Sequence, residues 1–316
     1  MITIKEAAER IIKSCLGLLV EERFLIIYDE TTENTAQVLL RSAKDITRSA
    51  KGIRIRPGKA NGEEPPQHAA EAMLECDVCI LITKASLSHT KARRDASSKG
   101  VRIASMPGAT EDMLRRTMAV DYQEVNKLTA KIKEKLDAGK KARITTDAGT
   151  DITISIEGRE ALKPGGILKQ KGDFGNIPSG EACLAPVEGS AQGVFVIDAS
   201  VLKEKVDKPI KVSVSDGYAR TIEGGMHASQ LYDVLEKAGE QAFNIAELGI
   251  GTNKGAIVTG NVLEDEKAYG TAHIAFGNNI SFGGTVDVPI HIDGVFFSPT
   301  IYIDDELIIK DGKLII

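Results

Sequence analysis

The chain has 316 residues, with 40 basic against 45 acidic side chains and a formal charge of −5. That length suits one large or two ordinary domains, and the near-balanced charge offers no general field for nucleic acid or an anionic membrane surface, so neither is an expected partner. No apolar run is long enough to span a bilayer, and the opening MITIKEAAERIIK is charged and amphipathic rather than signal-like, so a cytoplasmic protein is expected.

Thr3-Ile4-Lys5-Glu6 has capping-box spacing ahead of Ala7, Ala8, Ile11, Ile12 and Cys15, which recur at helical intervals and predict a first helix. Phe24 to Tyr28 reads as a short buried strand ending in DETTEN, followed by a helical pattern from Thr35 to about Ile46. The unit recurs with strands predicted at Ile53 to Ile55, Val78 to Thr83 and Val101 to Ser105, and helices at Gln67 to Leu74 and Lys91 to Ser98. Apolar strands alternating with amphipathic helices imply a doubly wound, mostly parallel sheet covered on both faces. Tyr122 to Ala138 reads as a longer helix leading out of this domain, with Val125, Leu128, Ile132 and Leu136 on one stripe.

From Ala142 the composition shifts to strands and glycines, beginning with a hairpin around Asp147-Ala148-Gly149. Strands are expected at Gly193 to Asp198 and Ile210 to Val214, a helix at Ala228 to Lys237, and a strand–turn–strand tail from Thr300 to Ile316. The expected fold is therefore α/β: an N-terminal doubly wound parallel-sheet domain over 1–140, then a β-rich α+β metal-site domain over 141–316.

Cys15, Cys76, Cys79 and Cys183 are too scattered for a disulfide framework, and Cys76-Asp77-Val78-Cys79 has no second CxxC to complete a zinc site. They read as core residues. Of the five histidines, His273 and His291 sit in apolar surroundings, and His291 and Asp293 are two apart, so that on a strand both project to one face. Such groups are costly to bury unpaired, and a divalent ion satisfies several at once. Gly249-Ile250-Gly251 has the wrong spacing for a nucleotide loop and more plausibly lets backbone pass close to a site beside Glu247. The triplet Glu264-Asp265-Glu266 reads alone as a solvated turn, as Glu181 and Glu188 read alone as surface carboxylates. His89 lies at the C-terminal end of the third strand, where open α/β sheets bind ligands, but a loop-pinning imidazole is the plainer reading. His68 and His227 have no partner at ligand spacing. There is no GxSxG elbow, so a carboxylate-rich site with two histidines points to metal-assisted hydrolysis.

Six segments, SLSHTKARRDASSKGVRIASMPG, TTDAGTDITISI, NIPSGEACLAPVEGSAQG, NIAELGIGTNKGAIVTGNVLEDEK, HIAFGNN and VPIHIDG, together resemble the aminopeptidase T (leucyl aminopeptidase) family of metallopeptidases. The resemblance implies a homodimer acting on peptides with a free N-terminus, and two divalent ions, zinc, cobalt or manganese, held by Glu181, Glu247, Glu266, His273, His291 and Asp293. A metal-bound water would be the nucleophile, with Glu181 or Glu247 as the general base. The family usually carries a tyrosine shortly after the histidine matching His273, and here the chain continues Phe276-Gly277-Asn278-Asn279, where Asn278 or Asn279 could supply a neutral donor to an oxyanion, which electrostatics permits but does not require. Two rivals stand beside the metallo-aminopeptidase. One is a mononuclear ferrous oxygenase, since His273, His291 and Asp293 form a two-histidine, one-carboxylate set and the ring-cleaving 2,5-dihydroxypyridine dioxygenases resemble the same family. The other is a non-catalytic binding protein on that scaffold.

Overall fold

Thr3 opens the first helix as its spacing predicts: its hydroxyl accepts from the Glu6 amide at 3.2 Å, and the Glu6 carboxylate accepts from the Thr3 amide at 2.7 Å. The helix Ile4–Glu9 passes into a π-helical turn, Arg10–Cys15, that buries Ile11, Ile12 and Cys15. The structure, a computed structural model, describes residues 1–162 and 165–315. The chain divides into two units, Met1–Asn126 with Pro164–Ser179, and Lys127–Lys163 with Gly180–Ile316. The first division falls inside the helix Tyr122–Ala138, where the sequence suggested 140/141.

In the first unit five parallel strands lie in the spatial order Ala50–Arg54, Phe24–Tyr28, Val78–Ile82, Arg102–Ser105 and Phe174–Asn176. Every residue of Phe24–Tyr28 and Val78–Ile82 is buried, because helices cover both faces. Leu25, Ile27, Cys79, Leu81 and Ile103 pack on Met73, Ala92 and Ala96. The helix Glu111–Thr117 was not foreseen: its run EDMLRRT shows little apolar periodicity, and its start is fixed by Thr110, whose hydroxyl accepts from the Met113 amide at 3.2 Å. Phe174–Asn176, at three residues, is too short for alternation to be read. All four cysteines are buried and free.

The second unit contains two antiparallel sheets. Eight strands run in the order Tyr218–Glu223, Ile210–Ser215, Gln192–Ile197, Asp151–Ser155, Lys141–Thr145, Thr300–Ile303, Glu306–Lys310 and Lys313–Leu314, with the predicted hairpin pairing Lys141 to Ser155 and Thr145 to Asp151. Six run in the order Glu204–Lys205, Ser200–Val201, His291–Phe297, Thr271–Gly277, Ile245–Gly251 and Glu181–Leu184. One core joins Leu184, Leu248, Ile274 and Phe276 of the six-stranded sheet to Phe195 and Ile197 of the larger one, with the Phe195 and Phe276 rings 5.6 Å apart. Among the described residues no helix is long and apolar enough to cross a membrane.

Candidate metal centre

Residues two apart on a strand share a face, and the register of the six-stranded sheet brings those faces into line. Gly251 pairs with Glu181, Gly249 with both Cys183 and His273, Ala275 with both Glu247 and Asp293, and Gly277 with His291. Glu181, Glu247, His273, His291 and Asp293 therefore project from one face of four adjacent strands, while the intervening Leu184, Leu248, Ile274 and Phe276 face the core. The interleaved small residues make the room. A Cβ on Gly249 would lie 2.0 Å from His273 Nε2, so the imidazole can lie over this backbone only because residue 249 is glycine.

His273 Nε2 lies 3.4 Å from Glu247 Oε1 and 3.8 Å from Glu181 Oε2. His291 Nε2 lies between Glu247 Oε2 at 2.9 Å and Asp293 Oδ1 at 3.2 Å. The other nitrogen of His291 is 2.7 Å from the Asn278 carbonyl, which can only accept, so Nδ1 carries a proton and Nε2 faces the carboxylates. Phe282 stacks on this imidazole, centroids 4.8 Å apart at 16°. Glu247 and Asp293 are buried, and His291 keeps 25% of its side chain exposed.

Lys267 completes the cluster. It is wholly buried, its Nζ lies 3.1 Å from Glu181 Oε1, and it also donates to Glu266 Oε1. The acidic triplet is correspondingly not a solvated turn: Glu264 and Asp265 are fully buried on the short helix Val262–Asp265. Asp265 accepts from the amides of Thr259 and Gly260 at 2.7 and 2.9 Å.

Burial opposes charge on every group here, and the partners decide the outcome. Against burial, His273 and His291 hold the Glu247 carboxyl well below the usual carboxylate range, and His291 lowers Asp293. Against burial, Glu247 pushes His273 up to about 9, and Asp293 with Glu247 pushes His291 well above an ordinary histidine. Burial pushes Glu266 up to about 8 despite Lys267. Burial, with Glu247 and Glu181 nearby, also drives the Cys183 thiol well up, so it is not a thiolate ligand.

This donor set fits a divalent cation. Glu181 Oε2 and His273 Nδ1 are buried without a hydrogen-bond partner, and Asp293 Oδ1 has the His291 imidazole at 3.2 Å as its charged neighbour. Among the described residues two groups have converging ligand atoms, Glu247 with His273 and Asp293, and Glu181 with Glu266 and His273. A cation would take the place of the protons that the carboxylates otherwise draw onto the imidazoles.

Asn278 and Asn279 are engaged elsewhere. The Asn278 amide donates to Asp287 Oδ1 and the Val288 carbonyl at 2.9 and 3.0 Å, while Asn279 donates to Glu188 Oε1 at 3.0 Å and accepts from the Val286 amide at 2.7 Å. Both hold the turn that carries Phe282. Glu188, with Arg159 on its other oxygen, anchors that turn. His89 is exposed between Val78–Ile82 and Lys91–Ser98 in the first unit. Sequence reasoning missed Lys267, Phe282 and the Asn278 carbonyl. Lysine beside an acidic triplet looks like surface charge, and a backbone carbonyl leaves no signal at all.

The chain matches the model of the 2,5-dihydroxypyridine 5,6-dioxygenase (NicX) family over residues 30–316. A curated relative, the 2,5-dihydroxypyridine 5,6-dioxygenase of Pseudomonas putida KT2440, is 23% identical over 261 residues, 78% of this chain and 73% of its own. The solved structure of the 2,5-dihydroxypyridine dioxygenase from Pseudomonas putida KT2440 has a TM-score of 0.85 at 19% identity, covering 99% of this chain and 96% of that one. Wild-type AmpT from Thermus thermophilus has a TM-score of 0.69 at 16% identity, covering 99% of each chain. The two structural likenesses establish a shared α/β plus β-rich fold. They also explain why the resembling segments pointed to a peptidase: the aminopeptidase shares the scaffold. The expected metallo-aminopeptidase, a hydrolase and protease, is overturned by the family match and the curated relative, both of which are dioxygenases. Since the match runs through nearly the whole chain, the protein belongs to the 2,5-dihydroxypyridine 5,6-dioxygenase (NicX) family.

Proposed function

We propose that this protein is a mononuclear non-haem iron dioxygenase that opens the ring of a dihydroxylated pyridine, 2,5-dihydroxypyridine or a close analogue. The observation that carries the reading is the convergence of ligand atoms from Glu247, His273 and Asp293, with His291 Nε2 2.9 Å from Glu247 and 3.2 Å from Asp293; the cluster thus contains two histidines and a carboxylate of the kind that holds ferrous iron. Family membership supports the substrate class, which is the one its curated relative is named for.

His273 and His291 would offer Nε2, and Asp293 with Glu247 would offer carboxylate oxygen. When bound, iron supplies the redox chemistry that lets dioxygen react with an electron-rich ring. The chain's own part is orientation. The Asn278 carbonyl holds His291 in the tautomer whose Nε2 is the ligating atom, Phe282 fixes the plane of that ring, and Gly249 lets His273 lie against the sheet. Glu247 and Asp293 stay ionised at neutral pH, so they serve as anionic ligands rather than proton donors.

The test is iron content together with oxygen uptake. Anaerobically reconstituted protein is expected to retain about one iron per chain and to consume oxygen with 2,5-dihydroxypyridine, with loss of the ring's absorbance. Iron-loaded protein that takes up no oxygen with any dihydroxypyridine sinks the proposal.

A further inference from the structure

Two groups of converging ligand atoms share His273, and a centre with two metal ions would use both. They are not equivalent. At Glu247, His273 and Asp293 the ion pairs of the buried carboxylates, among the described residues, are with imidazoles. At Glu181 and Glu266 the carboxylates already face a cation belonging to the chain: Lys267, 0% exposed, with Nζ 3.1 Å from Glu181 Oε1 and donating to Glu266 Oε1. An ion bound by those two oxygens would have to stand where the ammonium stands, which leaves Glu181 Oε2, 3.8 Å from His273 Nε2, as the oxygen of Glu181 that Lys267 does not occupy. His273 adds a second restriction. Its Nε2 is the ring nitrogen near both Glu247 and Glu181, and one nitrogen lone pair ligates one ion.

We propose that Lys267 is a built-in cation that takes the place of a second metal ion, limiting the centre to a single ion on the Glu247–His273–Asp293 side and making Glu181 and Glu266 partners of the ammonium. This inference rests on the reading of the cluster as a metal centre and deepens it by assigning the stoichiometry to a residue. Lys267 is a positioning residue: it neutralises the neighbouring carboxylates and keeps Glu181 turned so that Oε1 is held while Oε2 points toward His273.

The experiment is a titration of metal-free protein with manganese(II), followed by elemental analysis after gel filtration and by electron paramagnetic resonance; no turnover is needed. Wild type and Lys267→Arg are expected to bind about one ion with an uncoupled signal, whereas Lys267→Met, which leaves two carboxylates without their cation, is expected to bind about two with exchange coupling between them. An exchange-coupled pair in the wild type overturns the proposal, and this measurement stands even if Lys267→Met does not fold. A folded Lys267→Met that still binds a single ion also overturns it. A wild type that binds no ion overturns the metal centre as a whole; two ions in the wild type overturn the role of Lys267 and the single-ion stoichiometry with it, whereas one ion in both wild type and folded Lys267→Met overturns the role of Lys267 alone.

Discussion

The second unit contains two buried histidines set among carboxylates, and they differ in whether the chain closes them. His227, with 5% of its side chain exposed, has Nδ1 2.7 Å from Asp207 Oδ1 and Nε2 2.9 Å from Glu204 Oε2. Asp207 in turn accepts from the amides of Met226 and His227 at 2.9 and 3.2 Å, capping the helix Met226–Ala238. Around His273 the residue types are the same, yet His273 Nδ1 and Glu181 Oε2 find no hydrogen-bond partner. Unsatisfied atoms, more than the presence of histidine and carboxylate, distinguish a centre that needs an ion from one that holds a helix in place.

Asp293→Ala tests the open cluster and carries the largest effect. Metal affinity is expected to fall on the order of a hundredfold or more, since even residues that only support a ligand account for 10–100-fold. The metal-free variant is also expected to melt below metal-free wild type, because His291 keeps only Glu247 as a carboxylate partner. Asp207→Ala should leave metal content unchanged. Equal metal retention in both variants would erase the distinction.

Asp29 sharpens the comparison from the first unit. Its carboxylate is fully buried, and it accepts from the Thr31 amide at 2.9 Å, the Thr31 hydroxyl at 2.6 Å and the Lys84 amide at 2.6 Å. A buried carboxylate closed in this way is structural, and Asp29→Ala is expected to cost about 2–4 kcal/mol of stability, by chemical denaturation, with metal content unaltered. A variant as stable as wild type would mean that these bonds are readily replaced by water.

The smallest effect is the pH dependence of the closed cluster. Glu204 and Asp207 raise His227 above 6.5, so its contribution to stability is complete below about pH 6.5 and is lost as pH rises through the raised folded value. The Met226 amide and His227 lower Asp207 from 3.8, so its contribution is present above that pH and is lost as pH falls through the depressed folded value. The melting temperature of wild type relative to His227→Gln should be highest in the interval between and narrow toward alkaline pH. A gap independent of pH would show that the contacts matter without their charge.

Much of the fold was legible because strands and helices keep different periods. Phe24–Tyr28 and Val78–Ile82 are unbroken apolar runs, Ile210–Ser215 alternates, and Thr3 with Glu6 marks a helix start. The candidate site was legible where the period of two applies, as at His291 and Asp293, and where glycines cluster beside Glu247. It was not legible at Lys267, whose burial depends on Glu181, 86 residues earlier in the chain. Nor was it legible at Glu264 and Asp265, whose charges are absorbed by local backbone amides. The activity was misread because the matched segments build a scaffold that the aminopeptidase AmpT also has. The residue that disagreed was the absent tyrosine after His273, replaced by asparagines that the structure uses to hold a turn.

Gly249 has a consequence for how this centre can vary. It contributes no functional atom, yet a single methyl group there would strike the His273 ring at 2.0 Å. In a saturation library position 249 should therefore tolerate as few alleles as the ligand positions, and an alanine scan, which ordinarily subtracts groups, would here add the one that does the damage.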